Sequence, residues 1–83
     1  MAIELLEADC EIGFGLVDVA AAECSAGHPE GAMRALDDAE TVILDIHRRL
    51  LRLTEAQRAP FGPLVGELRR EITEARHNVP PIH

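Results

Sequence analysis

The chain has 83 residues, 47% of them hydrophobic and 28% charged, and it carries a formal net charge of −7. A chain of this length forms one domain at most, and its composition is typical of a globular protein rather than of a disordered one. No uncharged run approaches the roughly 20 apolar residues of a membrane-spanning helix, and the start, Met1 to Glu4, lacks the basic residues of a secretory signal, so we expect a cytoplasmic protein with no membrane partner.

The charges are unevenly distributed along the chain. Residues 1–45 hold eleven acidic residues and one basic residue, Arg34, whereas residues 46–83 hold seven arginines and four glutamates. The chain has two Phe and no Tyr or Trp. A net acidic protein without aromatic platforms lacks the groups that neutralise phosphates and stack on bases. We therefore expect no nucleic-acid partner.

Apolar periodicity predicts an all-α fold, a three-helix antiparallel bundle. The first helix runs from about residue 2 to 26, because apolar residues recur every three or four positions from Ile3 to Cys24. Gly27 can end this helix in the left-handed conformation, and Pro29 can occupy the first turn of the next one. The first two helices are therefore expected to form a hairpin with a tight turn.

The second helix is predicted from about residue 29 to 53. It carries an unbroken apolar spacing over three heptads, formed by Ala32, Leu36, Ala39, Ile43, Ile46, Leu50 and Leu53. Thr54 and Gln57 have the spacing of a capping box, so residues 54–59 are predicted to be a turn or one short helical turn.

The third helix is predicted to begin near Pro60 and to continue to about Arg76. One apolar face marks it, formed by Phe61, Leu64, Val65, Leu68, Ile72 and Ala75. Residues 1–77 would then form a single domain, and residues 78–83, with their two prolines, a flexible tail.

Gly13 and Gly15 lie in the middle of the first predicted helix. Each costs about 1 kcal/mol there relative to alanine. Close packing against another helix, a kink and a break that splits the helix are three possible explanations. Close packing is favoured, because the apolar stripe keeps its phase through both glycines.

Small and large residues follow a recognisable spacing around the Gly27 turn. After the turn glycine come a small, a large and another small residue, which are Ala32, Leu36 and Ala39. Before it come two large residues and a small one, which are Leu16, Val19 and Ala20. Over about residues 16–39 this spacing resembles a single tetratricopeptide repeat, although Glu23 stands where that family has an aromatic residue and the terminal proline is absent. The resemblance implies a repeat-like hairpin that binds other polypeptides, and the layout with a third helix is also similar to the microtubule-interacting-and-trafficking domain.

The first helix has a second apolar stripe, formed by Leu5, Ile12, Leu16 and Val19. It is apolar over more than half its circumference, and two other helices are not expected to cover all of that surface. A large exposed apolar patch on a soluble protein usually marks an interface. We therefore expect a homodimer through this stripe, joined by Leu44 and Leu51, which lie outside the second helix's own apolar stripe.

The chain has one basic cluster, formed by Arg48, Arg49, Arg52 and Arg58. In an antiparallel hairpin the end of the second helix lies beside the start of the first. We therefore expect ion pairs between these arginines and the acidic stripe of Glu4, Glu7 and Glu11, with docking of an acidic partner as the alternative.

Other reactive residues do not assemble into a catalytic or metal site. Cys10 and Cys24 lie about 21 Å apart along one helix, which excludes a disulfide between them, so we expect free thiols, with an intermolecular bridge as the alternative. Cys24 and His28 have an i, i+4 spacing, but Gly27 and Pro29 break the helix between them and no second such pair exists. We expect no metal, no other cofactor and no enzymatic activity.

His47 provides an alternative function from another class. It lies inside the second predicted helix, and phosphorelay modules use an exposed helical histidine to accept a phosphoryl group. The segment that follows the histidine in such modules is missing here, and the chain has no Gly-rich nucleotide loop. The sequence favours a small non-catalytic protein-interaction module that self-associates, with histidine phosphotransfer through His47 as the alternative.

Overall fold

The computed structural model describes residues 2–80, which form four helices. These are α1 (Ala2–Ser25), α2 (Pro29–Leu50), α3 (Glu55–Arg58) and α4 (Phe61–Asn78). The three long helices pack on one another, and the described residues include no strand. The predicted all-α bundle of three helices is confirmed. Across residues 2–80, no helix combines the length and the apolar character needed to cross a membrane.

The turn between α1 and α2 has the geometry expected of a glycine-terminated helix. Gly27 has a φ of +79°, the left-handed region that favours glycine. The His28 N–H donates to the Glu23 carbonyl at 2.8 Å, and the Gly27 N–H donates to the Cys24 carbonyl at 3.1 Å. These two bonds satisfy carbonyl groups left open at the end of α1. Pro29 then begins α2, as predicted.

The helix α2 ends at Leu50, three residues before the predicted end at residue 53. The reason is the Thr54 capping box, which holds Thr54 in an extended conformation ahead of α3. The Thr54 N–H donates to Oε1 of Gln57 at 3.0 Å, and the Gln57 N–H donates to Oγ1 of Thr54 at 3.2 Å. The short helical turn predicted here is α3, and Leu53 still packs against the core.

The helix α4 begins at Phe61 and ends at Asn78, two residues beyond the predicted end. Val79, which follows it, packs against the core. The predicted tail of residues 78–83 therefore starts within α4, and its last three residues lie outside the described part of the chain.

Aliphatic side chains form most of the core. Leu6, Leu36, Ile46 and Leu68 are its largest fully buried side chains. The predicted stripe of α2 is buried from Ala32 to Ile46, and four residues of α4, among them the aromatic Phe61, are buried in the same core. No buried polar or charged residue occurs among those described, so burial of apolar surface stabilises the bundle.

Gly13 explains how α1 and α4 approach each other. It is buried, and a Cβ atom at this position would lie only 2.6 Å from a methyl group of Leu68. The helix α1 runs without interruption from residue 2 to 25. For Gly13 the expectation of close packing is confirmed, and a break in the helix is excluded. Gly15 is different, because it is exposed and a Cβ atom there would meet nothing within 4 Å.

Candidate interaction surface

Three of the four residues predicted on the second stripe of α1 lie open to solvent. The exposed fractions are 50% for Leu5, 54% for Ile12 and 49% for Val19. Leu16, the fourth, is partly buried and packs against the core. The helices α2 and α4 therefore leave one row of large apolar side chains uncovered, at intervals of seven residues.

A row of small residues runs beside the large ones. Ala8, Gly15 and Ala22 are all exposed, and each follows a large residue of the first row by three positions. The sequence reasoning missed this row, although its seven-residue spacing was visible. The two rows together have the a and d spacing of a coiled-coil seam. We call these six residues the α1 seam; they are Leu5, Ala8, Ile12, Gly15, Val19 and Ala22.

Acidic residues flank the α1 seam on its outer side. Glu4, Glu11 and Asp18 are exposed there, each one position before a large residue of the seam. The α1 seam is therefore an apolar strip with a negatively charged border.

An ion pair borders the α1 seam on the side of α2. Nε of Arg49 lies 2.8 Å from Oδ2 of Asp9, whose side chain is only 19% exposed. Both atoms are shielded from solvent, and neither makes a hydrogen bond with the described residues, so their contact is an ion pair without hydrogen-bond geometry. Arg48 pairs weakly with Asp45 of its own helix, at 3.8 Å.

The ion pairs of Arg48 and Arg49 differ from the expectation that α2 arginines would meet Glu4, Glu7 and Glu11. The antiparallel placement was right, since Arg49 near the end of α2 lies beside the first half of α1. Asp9 faces α2 because it lies on the inner edge of α1, whereas Glu7 and Glu11 are exposed.

Leu44 and Leu51 do not join the α1 seam. Leu44 is 58% exposed and lines a groove of about 410 Å³ between α2 and α4, together with Arg69 and Thr73. Leu51 is 77% exposed and lies in the turn after α2. Leu44 is on the side of α2 that faces α4, so the two leucines and the seam do not form the single patch that the sequence predicted.

His47 is partly buried beside the same groove, and its ring is engaged by α4. The guanidinium of Arg69 donates a hydrogen bond to Nε2 of His47. A guanidinium group has only donors, so Nε2 accepts and the ring proton lies on Nδ1. The lone pair of Nε2, one of the two ring nitrogens to which a phosphoryl group could be transferred, is therefore engaged by Arg69 in this structure.

Arg76 links α4 to α2 through two carboxylates. One of its terminal nitrogens lies 2.8 Å from Oδ1 of Asp37 and 2.8 Å from Oε2 of Glu40. The hydrogen bond with Asp37, and then that with Glu40, raise the pKa of Arg76 above its ordinary value. The sequence reasoning treated Arg76 only as the end of a helix. No signal within α4 alone would have revealed its partners, which lie 39 and 36 positions away.

The cysteines and the turn histidine do not come together as a metal site. Cys10 is buried, Cys24 is partly buried, and both are free thiols. Nδ1 of His28 lies 3.2 Å from Oε2 of Glu23 instead. Within residues 2–80, no group of three or more His, Cys, Asp or Glu side chains is placed to bind a metal ion.

No family model, no curated protein and no solved structure matches this chain. The resemblance to a tetratricopeptide repeat therefore stays a prediction.

Proposed function

We propose that this chain is a small non-catalytic helical module that acts by binding protein, and that it forms a homodimer through the α1 seam. The observation that carries the proposal is the row of Leu5, Ile12 and Val19, each about half exposed on a helix whose opposite face is buried in the core. Large apolar side chains aligned on one surface usually mark an interface.

The magnitudes indicate a dimer of modest affinity. Complete burial of a Leu, Ile or Val side chain is worth about 1.5–3 kcal/mol. A dimer would cover the exposed halves of three such side chains on each copy, which contributes on the order of 5–9 kcal/mol. Loss of translational and rotational freedom opposes this with about 4 kcal/mol or more. Close packing at the small residues adds dispersion energy. The balance is at most about 5 kcal/mol before the dispersion energy is added, so we expect a weak dimer with a Kd on the order of 100 µM.

The geometry gives less support to phosphotransfer. Arg69 occupies the lone pair of Nε2 in His47, and a nucleophile needs that lone pair free. Incubation with acetyl phosphate, followed by measurement of acid-labile phosphate, separates the two functions. The interaction module predicts no labelling above that of the His47→Ala variant, and labelling that this variant loses would establish the alternative.

Two matched substitutions test the interface. Ile12→Glu places a charge in the middle of the α1 seam, and Leu44→Glu places one at a similarly exposed leucine in the groove between α2 and α4. Size-exclusion chromatography with light scattering, loaded at about 1 mM, should give the monomer mass for Ile12→Glu and a mean mass between monomer and dimer for Leu44→Glu. Circular dichroism should show equal helix content in both, since neither side chain is in the core. A dimer that survives Ile12→Glu would contradict the proposed interface.

A further inference from the structure

We infer that the second copy lies antiparallel on the α1 seam, related by a two-fold axis that passes the midpoint of α1, between Gly13 and Phe14. The inference rests on the proposed function and specifies its geometry. A two-fold axis is the usual symmetry of a homodimer, and it makes the same patch serve both copies.

The order of large and small residues along α1 selects this arrangement. In an antiparallel pair centred on the midpoint of α1, residues equally far from the midpoint on opposite sides meet. Leu5 then faces Ala22 of the second copy, Ile12 faces Gly15, and Val19 faces Ala8. Each layer contains one large and one small residue. The two helices also overlap over their full length, since α1 spans residues 2–25.

A parallel pair distributes the same residues badly. Each residue would face its own copy, so layers of two large side chains would alternate with layers of Ala or Gly alone. The large layers would hold the helices apart, and the small layers would leave voids. Protein interfaces pack to nearly the density of organic crystals, so alternating clash and void is unfavourable.

Gly15 gives an independent reason for close approach. Glycine destabilises the interior of a helix, and the fold of a single chain gives Gly15 no compensating contact, because a Cβ atom there meets nothing within 4 Å. In the antiparallel dimer, Ile12 of the second copy packs where that Cβ atom would be. Gly15 would then serve the dimer as Gly13 serves the bundle.

The charges beside the α1 seam do not set the direction. Glu4, Glu11 and Asp18 lie on its outer border, and in an antiparallel pair they come close to the same border of the second copy. Arg49, paired with Asp9, lies on the side of α2. Charge pairs at exposed positions contribute little to association, so the packing of large against small residues sets the direction.

Cysteine crosslinking tests the orientation. The background carries Cys10→Ala and Cys24→Ala, with helix content checked by circular dichroism; if Cys10→Ala does not fold, Cys10→Val, which keeps an apolar side chain in the core, replaces it. One chain carries Leu5→Cys, and a second chain, made larger by a tag, carries Ala22→Cys. Each chain alone and an equimolar mixture are treated at about 100 µM with a short bis-maleimide. Sedimentation of the untreated samples reports whether they associate.

The antiparallel dimer predicts at least a ten-fold higher yield of crosslinked product in the mixture than in either chain alone. In each chain alone, the two engineered thiols lie about 26 Å apart along the dimer, beyond the span of the reagent. Crosslinking of the Leu5→Cys chain to itself would show a parallel pair and overturn the inference. Dimers that crosslink in no sample would overturn it as well, by placing the interface elsewhere. A monomeric mass in every sample, including the uncrosslinked parent chain, would instead show that the proposed self-association fails, and the inference with it.

Discussion

Gly13 and Gly15 are two positions apart on α1 and have opposite surroundings. A Cβ atom at Gly13 would lie 2.6 Å from a Leu68 methyl group in the core, whereas one at Gly15 would project into open space. Replacing a helical glycine with alanine gains about 1 kcal/mol of helix propensity. At Gly13, however, the added methyl group must displace a packed leucine, and overpacking a core costs roughly 1–3 kcal/mol.

Gly15→Ala is therefore expected to raise the free energy of unfolding by about 1 kcal/mol, and Gly13→Ala to leave it unchanged or lower it. Urea unfolding at about 1 µM, where the chain is expected to be monomeric, measures both. Equal stabilisation by the two substitutions would contradict the close contact between α1 and α4.

Cys10 gives a prediction about pH. Burial raises the pKa of its thiol, and the neighbouring Asp9 and Glu7 raise it further. In the unfolded chain the thiol ionises near pH 8.5. As pH rises past that value, the unfolded state releases its proton before the folded state does, so folding stability is full below about pH 8.5 and declines above it.

Urea unfolding at several pH values between about 8 and 10 should show this decline. The chain contains no Lys and no Tyr, so few other groups titrate in this range. The decline should be much smaller in Cys10→Ala and should persist in Cys24→Ala. An equal decline in the Cys10→Ala variant would show that another group is responsible.

At the scale of helices, Arg76 fixes the position of α4 on α2. Its side chain is 27% exposed and contacts both Asp37 and Glu40. Since the site is partly open to solvent, we expect Arg76→Gln to lower the free energy of unfolding by about 1 kcal/mol. The control is Arg70→Gln at an exposed position of the same helix, which should change stability by less than about 0.5 kcal/mol. Chemical unfolding in urea measures both, and equal effects would contradict the role of Arg76.

The helices themselves were predictable because their signals are local. The apolar stripe of α2, the glycine at position 27 and the capping box at Thr54 each act within a few residues, and each appears in the structure where the sequence placed it. The end of α2 was misplaced by three residues, because Leu50 and Leu53 continue the apolar spacing while the capping box already ends the helix.

Contacts between helices were less predictable, because they depend on how the helices are rotated and shifted against each other. Asp9 was not among the acidic residues expected to meet the arginines, yet it is the residue that pairs with Arg49. Leu44 was grouped with the second stripe of α1, yet it faces the groove beside α4. Exposure of Leu5, Ile12 and Val19 followed from a simpler argument, that α1 is apolar over more surface than two helices cover.

At the scale of the whole molecule, folding and association use different surfaces. The core is formed by α1, α2 and α4 and is complete without any residue of the α1 seam. A charge placed in the α1 seam should therefore prevent association while the bundle stays folded. The oligomeric state therefore reports whether the α1 seam is intact, independently of folding.

Sedimentation equilibrium of the unmodified chain, over concentrations from about 1 to 200 µM, tests the central claim most directly. A dimer with a Kd on the order of 100 µM predicts a weight-average mass that stays near the chain mass of 9.1 kDa at the lowest concentrations and rises to roughly one and a half times that value at about 200 µM. A mass of 9.1 kDa at every concentration would contradict self-association through the α1 seam.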